Sequence, residues 1–217
     1  MIKLATQNIS VSHHISANIN TRSEIIYNCF DNEIFKIYQD VERKYEFVFL
    51  GRLVSQKGCE LLIKACQNLK YPFRLSIIGD GPERSRLERM VKTWGLENNI
   101  QFLGILTEEP LARTLNMHHT MIIPSIGEEG FGIVALEGLA CGCKIIAADA
   151  GGLAEALNGF GKLFKMGSLQ ELGYLLNMEL EELRKPIPNT HPGKLNEYLT
   201  RQGKKEVADK YLRIFLK

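Results

Sequence analysis

The sequence predicts an α/β fold, in which a doubly wound parallel sheet carries flanking helices on both faces. From Tyr45 onward, short apolar runs of strand length alternate with segments whose apolar residues recur at helical spacing. A glycine-containing loop follows most of these runs. Strands that alternate with helices are joined by right-handed crossovers, and such crossovers give a parallel sheet that is covered on both sides.

Residues 1–43 precede the regular pattern, and we interpret them as an inter-domain connector with the remnant of a preceding domain. Ile15 and Ile19 fall on one face of a short predicted helix. The turn-forming residues Asn28 and Asp31 close a predicted strand. The expected order is strand 9–12, the short helix, strand 25–27 and a polar connector over 33–43.

Residues 44–183 contain the alternating pattern and are predicted to form one domain. The expected strands are 47–50, 75–78, 100–103, 121–123, 144–148 and 161–164. A helix is expected after each of the first five strands. Ser168 and Glu171 have the form of a capping box, which predicts a further helix that runs towards Leu183.

Residues 184–217 are predicted to be a C-terminal helical tail. Three prolines interrupt the chain at its start: Pro186, Pro188 and Pro192. A final helix is expected over 204–217, with Val207, Tyr211 and Phe215 four residues apart in one apolar stripe. We expect this stripe and the N-terminal segment to receive a missing partner domain. Cations flank the stripe, and a solvated face is favoured over contact with anionic lipid.

Composition excludes several classes of protein. The net charge of +2 gives no support for nucleic acid as a partner. Five cysteines, an odd number with irregular spacing, indicate reduced thiols. No apolar run reaches the roughly 18 residues of a spanning helix, and the first residues do not resemble a secretory signal. A cytoplasmic location is therefore expected, with the inner face of the membrane as an extension of it.

The stretch 124–137 predicts a strand end, a glycine loop and a helix. Gly130 and Gly132 permit a tight turn, and the helix that follows has first amides without internal partners. These amides carry the positive end of the helix dipole and are suited to a phosphate. Glu129 lies just before the helix and Glu137 about two turns along it, so the two carboxylates are too far apart to share a proton. They could hold two hydroxyl-bearing parts of one ligand.

A second interpretation of the same stretch needs no ligand. Glu128 and Glu129 would then only complement the helix dipole, and Glu137 would be a solvated helix residue.

Two cations are predicted at the same edge of the sheet. Arg52 and Lys57 lie in one loop after the first strand of the sheet. Beside the helix that follows Glu129, they would neutralise a diphosphate, Arg52 through its planar fork and Lys57 as a mobile charge. Ordinary surface cations are the alternative.

Other motifs carry less chemistry. Gly79-x-Gly81-x-x-Arg84 lacks the third glycine of a dinucleotide fingerprint, so its glycines are better explained by a sharp turn or by close approach to a ligand. Cys141 and Cys143 have no matching second pair for a metal, and we interpret Cys141 as a packing residue. The four histidines in adjacent pairs are interpreted as structural or surface residues: His13, His14, His118 and His119.

A set of motifs resembles one known family. In order, they are Gly51-Arg52-x4-Lys57-Gly58, Gly79-Asp80-Gly81-Pro82, Phe102-Leu103-Gly104, Pro124-Ser125, Glu129-Gly130-Phe131-Gly132-x4-Glu137 and Asp149-x-Gly151-Gly152-x2-Glu155. They stand as in the C-terminal, sugar-nucleotide-binding half of retaining GT-B glycosyltransferases of family 4, and the resemblance covers roughly residues 9–183. It implies a Rossmann-like half of a GT-B fold and a hexosyltransferase type of activity.

The resemblance also implies roles for residues. Catalytic roles fall to Glu129, which would hold hydroxyls of the transferred sugar, and to Arg52 and Lys57, which would contact the donor diphosphate. Glu137 would hold the ribose hydroxyls. The other implied donor-binding residues are Gly51, Gly79, Gly104, Ile105, Gly130, Phe131, Gly132 and Ile133. The amides of the last three would receive a phosphate, and the backbone at Gly104 and Ile105 would meet the base. A UDP-sugar is the favoured donor, and neither a metal nor another cofactor is implied.

The sequence departs from the family pattern at two positions and in its extent. Lys144 stands where proline is usual, and His119 where an acidic residue before the strand is common. A complete family member also has an N-terminal acceptor domain, so we expect the chain to be inactive without that domain or a partner chain. With it, transfer to a glycan or lipid-linked acceptor in surface polysaccharide synthesis is expected. The alternatives are a nucleotide-sugar-binding module without catalysis, and half of a GT-B-like epimerase or phosphorylase.

Overall fold

A six-stranded parallel sheet lies at the centre of the computed structural model, which describes residues 7–185 and 193–216. Its strands are β3 (Tyr45–Leu50), β4 (Leu75–Ile78), β5 (Ile100–Gly104), β6 (His118–Ile123), β7 (Lys144–Asp149) and β8 (Lys162–Lys165). Their order in the sheet is β5-β4-β3-β6-β7-β8, the order of a doubly wound sheet. The predicted fold class and all six predicted strands are confirmed.

Helices connect the strands and cover the sheet. They are α2 (Cys59–Cys66), α3 (Arg84–Thr93), α4 (Glu108–Asn116), α5 (Ile133–Ala140), α6 (Leu153–Leu157) and α7 (Leu169–Leu183). α7 packs against α2, whereas α5 and α6 pack against each other and against β7. The hydroxyl of Ser168 accepts a hydrogen bond from the amide of Glu171, so the predicted start of α7 is confirmed.

The strand β6 begins three residues earlier than predicted, because its polar start has buried partners. The Nδ1 of His118 lies 2.7 Å from the carbonyl of Thr114, and its Nε2 lies 2.8 Å from the hydroxyl of Ser76. Burial lowers the pKa of His118 to about 4, so this imidazole is neutral near pH 7. His119 therefore lies within the strand, and its predicted place before the strand is wrong.

Lys144 stabilises the outer strands through a buried carboxylate. Glu179 on α7 is fully buried, and its two oxygens lie 2.7 Å from the ammonium of Lys144 and 3.4 Å from that of Lys162. The hydroxyl of Thr120 donates a third hydrogen bond to Glu179. A lysine at position 144 thus supplies charge that a buried carboxylate requires.

The segment before the sheet contains β1 (Ile9–Ser10), α1 (His13–Ala17) and β2 (Glu24–Ile25). The two strands pair with each other in parallel and are shorter than predicted. Ile19 lies beyond the end of α1, so its predicted place in that helix is wrong. Phe30 and Phe35 are buried in the main core, which anchors this segment to the sheet domain. The predicted boundary at residue 43 stays a prediction.

The C-terminal segment contains a helix that the sequence pattern did not reveal, α8 (Gly193–Arg201), and the predicted α9 (Lys204–Phe215). The hydroxyl of Tyr198 on α8 donates a hydrogen bond of 2.7 Å to the carbonyl of Ala156. Val207 is buried against Ile26, whereas Phe215 is 73% exposed. The predicted stripe is therefore not a free surface along its whole length. The three prolines that were expected to interrupt the chain lie outside the described residues.

Across the described parts of the chain, no helix has both the length and the apolar character that crossing a bilayer requires.

Candidate functional site

The candidate site lies where the sheet changes its winding direction. β3 and β6 are neighbours in the sheet although two strands and three helices separate them in the chain. The loops that leave their carboxyl ends border the switch point of the sheet, which is where doubly wound sheets bind ligands. Here the two loops are 51–58 and 124–132.

These two loops lie in close backbone contact. Gly58 has a left-handed backbone with φ of 70°, and a Cβ atom there would lie 1.8 Å from the carbonyl oxygen of Pro124. The amide of Ile126 also donates a hydrogen bond of 2.9 Å to the carbonyl of Gln56. Only glycine fits at position 58, so the two loops hold each other in place.

The two predicted cations behave differently. Arg52 is exposed, and within residues 7–185 and 193–216 no carboxylate forms an ion pair with it. The ammonium of Lys57 lies 2.6 Å from Oε1 of Glu129, across the gap between the two loops. The structure thus brings together Lys57 and Glu129 as predicted for one site, with Arg52 in the same loop as Lys57.

Ser125 completes the surroundings of Glu129. Its hydroxyl donates a hydrogen bond of 2.6 Å to the same oxygen, Oε1, that accepts from Lys57. Ser125 is 1% exposed, so its hydroxyl is held in place. Both of these hydrogen bonds use Oε1, and no described residue forms one with the second carboxylate oxygen of Glu129. The sequence contained Ser125 in a motif, but nothing in the pattern indicated that it contacts Glu129.

The helix α5 begins at the predicted place with its first amides free of a side-chain cap. Gly132 is the N-cap residue and has φ of 99°. No side-chain hydrogen bond caps this end of the helix, and Ile133 is partly exposed. The amide of Ala135 donates a hydrogen bond of 2.9 Å to the carbonyl of Gly132, which leaves the two amides before it as the candidates for binding an anion. The side chain of Phe131 is buried and stacks on Tyr27, with 5.0 Å between ring centroids, so its side chain is structural.

Glu137 on α5 carries a partly buried carboxylate. No hydrogen bond or ion pair among the described residues reaches it. Burial raises its pKa to about 7. The alternative that Glu137 is a solvated helix residue is therefore wrong. Hydroxyl groups of a bound ligand would supply the hydrogen bonds that this carboxylate lacks.

The loops after β4 and β5 form the rest of this edge. Gly79 has φ of 129°, and a Cβ atom there would lie 2.0 Å from the carbonyl oxygen of Gly51. The amide of Gly79 donates a hydrogen bond of 2.7 Å to the carbonyl of Gly104. The glycine at position 79 is thus required by contact between neighbouring loops. Ile105 is 70% exposed at the end of β5.

The cysteines and histidines that the structure describes are structural or surface residues. Cys141 and Cys143 are free buried thiols, and burial raises the pKa of both. His13 and His14 lie on α1, and His118 is buried. Among residues 7–185 and 193–216, no three histidine, cysteine or acidic side chains converge as metal ligands would.

A doubly wound parallel sheet, with cations and a helix N-terminus at its switch point, defines the chain as a Rossmann-like α/β domain of the kind found in GT-B enzymes. Comparison with protein families gives a more specific assignment. Residues 30–177 match the model of the glycosyl transferases group 1, and the chain belongs to this family.

Relatives of the chain are also named as glycosyltransferases. The chain is 34% identical over 183 residues to an uncharacterized glycosyltransferase of Methanocaldococcus jannaschii, covering 82% of this chain and 50% of that protein. It is 30% identical over 176 residues to N-acetylgalactosamine-N,N'-diacetylbacillosaminyl-diphospho-undecaprenol 4-alpha-N-acetylgalactosaminyltransferase of Campylobacter jejuni, covering 77% and 47%. The chain thus spans about half the length of the curated relatives it matches.

Solved structures that resemble the chain include a separately solved C-terminal domain. HepE of Anabaena, in complex with UDP and glucose, is 25% identical with a TM-score of 0.73, over 84% of this chain and 55% of HepE. The C-terminal domain of the glycosyl transferase group 1 family protein LpcC of Francisella tularensis is 26% identical with a TM-score of 0.62. That match covers 84% of this chain and 98% of the LpcC domain.

Proposed function

We propose that the chain is the donor-binding domain of a retaining hexosyltransferase of family 4, which transfers a sugar from a nucleotide-diphosphate sugar. One observation carries the proposal: Lys57 and Glu129 pair across the switch point, in the loops that also carry Arg52 and the start of α5. This arrangement combines charge for a diphosphate with a carboxylate for sugar hydroxyls. A UDP-linked donor is favoured because HepE was solved with UDP and glucose.

Each residue has a role in this proposal. Arg52 and Lys57 neutralise the diphosphate, and the amides of the first turn of α5 receive one of its phosphates. The free oxygen of Glu129 accepts hydrogen bonds from hydroxyls of the transferred sugar. Glu137 accepts from the ribose, and the backbone at Gly104 and Ile105 meets the base.

The chemistry in this proposal is stabilisation of a leaving diphosphate. The bond between the anomeric carbon and the diphosphate oxygen breaks, and the oxygen of an acceptor hydroxyl bonds to the same carbon from the face that the diphosphate leaves. The proton of that hydroxyl passes to the departing diphosphate. Arg52, Lys57 and the α5 dipole stabilise the negative charge that develops on the leaving oxygen. The donor site is formed by protein groups alone in this account, with no metal.

The acceptor in this proposal is a glycan or a lipid-linked sugar, and the process is the synthesis of surface polysaccharide. The Campylobacter jejuni relative, whose name specifies a diphospho-undecaprenol acceptor, supports a lipid-linked one. Such an acceptor would bring the protein to the inner face of the membrane. Transfer requires the acceptor hydroxyl to lie roughly 3–3.5 Å from the reacting carbon. We therefore propose that a second domain or chain supplies the acceptor-binding side of the cleft.

A ligand panel followed by a transfer assay tests the proposal. UDP should raise the melting temperature more than GDP, ADP or NAD at equal concentration, since a ligand that binds only the folded protein stabilises it. UDP-sugar should then be consumed in the presence of a family N-terminal domain and not without it. If none of the four nucleotides shifts the melting temperature, the proposed function is wrong. If UDP binds and no N-terminal domain restores transfer, the chain is a binding module without catalysis.

A further inference from the structure

The motif that ends in Glu155 has no place in the donor chemistry above, yet its carboxylate makes a specific contact. The two oxygens of Glu155 accept hydrogen bonds from two consecutive backbone amides, 2.8 Å from that of His13 and 2.9 Å from that of His14. These amides are the first two of α1, and they lie 142 and 141 residues away in the chain. A bidentate carboxylate on paired amides is a charge-assisted contact that fixes both position and orientation.

Ser12, the residue before these amides, contacts the loop 124–132, which we call the donor loop. The hydroxyl of Ser12 donates a hydrogen bond of 2.6 Å to the carbonyl of Gly130, and it accepts one of 3.0 Å from the amide of Ile15. Ser12 is fully buried. The same hydroxyl therefore caps α1 and holds the backbone of the glycine loop that precedes α5.

Two further contacts join the same segments. The ring of Tyr27 stacks on Phe131 in the donor loop, and burial together with the neighbouring carboxylate of Glu155 raises the pKa of Tyr27. The imidazole of His14 lies 3.2 Å from the carboxylate of Glu128. Residues 128–131 of the donor loop are thus in contact with the N-terminal segment.

The opposite side of the loop is held by the turn that leads to Glu155. The amide of Gly152 donates a hydrogen bond of 2.7 Å to the carbonyl of Glu129. A Cβ atom at Gly151 would lie 2.4 Å from that same carbonyl oxygen, and one at Gly152 would lie 2.5 Å from the carbonyl oxygen of Gly130. The donor loop therefore lies between this turn and α1, and Glu155 joins the two.

We propose that Glu155 and Ser12 are positioning residues of the donor site. They fix the glycine loop so that the first amides of α5 point at the donor phosphate before the donor arrives. A loop that is already ordered loses less conformational entropy on binding, so its amides bind the phosphate more tightly. This inference rests on the proposed function for the identity of the ligand, whereas the ordering of the loop does not depend on it.

The test compares two variants with two matched controls. Glu155→Gln replaces one accepting oxygen with a donor that faces a backbone amide, and Ser12→Ala removes the bond to Gly130. The controls are Glu171→Gln, which changes a carboxylate that accepts from the amide of Lys165, and Ser168→Ala, which changes the cap of α7. Both controls alter the same kinds of hydrogen bond at the start of α7, outside the contacts described above for the donor loop.

Calorimetry with UDP and with uridine supplies the first readout. Glu155→Gln and Ser12→Ala should each weaken UDP binding by about tenfold, the loss expected when hydrogen bonds that order the site are removed. Uridine, which has no phosphate, should bind all variants within about a factor of two. Equal losses for UDP and uridine, or no loss of UDP binding in the folded variants, would overturn the proposal.

Hydrogen exchange of the unliganded protein separates this inference from the proposed function. In Glu155→Gln, the amides of residues 130–133 should exchange faster than in Glu171→Gln, because local opening becomes easier. If the wild type binds no nucleotide, the proposed function fails and exchange alone decides whether Glu155 orders the loop. Unchanged exchange at 130–133 would show that it does not.

Discussion

The ammonium of Lys57 and the carboxylate of Glu129 form an ion pair of 2.6 Å, although the two residues lie 72 positions apart in the chain. Glu129 is the less accessible of the two, with 15% of its side chain exposed against 36% for Lys57. The pair joins the loops after β3 and β6 across the switch point. One of the two cations that would meet a diphosphate is therefore already engaged by the carboxylate that would meet the sugar.

This difference between the two cations predicts unequal effects on nucleotide binding. Arg52→Ala should weaken UDP binding by about 1.5–3 kcal/mol, the range for a charge-assisted hydrogen bond, and leave uridine binding nearly unchanged. Lys57→Met should weaken UDP binding by a smaller amount, because the charge of Lys57 is already paired with Glu129. Calorimetry with both ligands measures the two losses, and Arg89→Ala, at an exposed arginine on α3, is the control. Equal losses for UDP and uridine in Arg52→Ala would exclude a diphosphate contact.

A second prediction separates the sugar from the nucleotide. Glu129→Ala should remove the extra affinity that a UDP-sugar has over UDP, and plain UDP should bind nearly as before. Ser125→Ala should remove part of the same difference, because the hydroxyl no longer fixes Oε1 of Glu129. Ser76→Ala, which also removes a buried hydroxyl with a partner, is the control for stability. A strong loss of UDP binding in Glu129→Ala would mean that Glu129 has another role.

The sequence was sufficient for the sheet because its signals are local. Apolar runs and the glycines that follow them define β3, β4, β5 and β7 within a few residues. The start of β6 could not be predicted in this way, because the polar residues there depend on partners such as Ser76, 42 residues away in the chain. The helix α8 was missed although Leu195, Tyr198 and Leu199 stand at helical spacing, because the helix is short and only Tyr198 on it is buried.

The candidate site was predictable in its loops and not in its contacts. The spacing of Glu129 and Glu137 and the loop with Arg52 and Lys57 placed the four residues at one edge of the sheet. The pairing of Lys57 with Glu129, and the bond from Ser125, depend on how two loops approach each other. The two loops approach closely where Gly58 contacts the carbonyl of Pro124. A backbone contact of this kind produces no periodic pattern of residues, so the sequence does not predict it.

The raised pKa of Glu137 predicts that nucleoside binding depends on pH. Ribose hydroxyls donate to the ionised carboxylate, so binding must displace the proton that Glu137 holds below pH 7. Uridine affinity should fall by up to about tenfold for each pH unit below about 7 and be constant above it. Calorimetry from about pH 5.5 to about pH 8 measures this, with uridine chosen because it has no titrating phosphate. Glu137→Gln should bind more weakly and show no such pH dependence.

The stability of the folded protein should depend on the protonation of Glu137 in the opposite sense to uridine affinity, because stability should fall as the pH rises. The folded-state pKa of Glu137 is raised above the roughly 4.3 of an unfolded glutamate, so the folded protein binds the proton more tightly. The stability that the neutral carboxyl of Glu137 contributes is then fully present below about pH 4.3 and is lost as the pH rises through 7. Glu137→Gln should therefore be more stable than the wild type at about pH 8. If the Glu137→Gln variant binds uridine as tightly as the wild type at every pH, Glu137 does not contact the ribose.

If the proposed function is right, a sugar nucleotide binds at the switch-point edge of the sheet. Amide chemical shifts of the labelled protein, recorded by NMR during a titration with UDP-glucose, locate the binding site directly. The largest shifts should cluster in residues 51–58, 104–105 and 130–137, and the opposite edge around Tyr45, Arg74 and Ile100 should not change. Saturable shifts that cluster at that opposite edge, or no shifts at all, would contradict it.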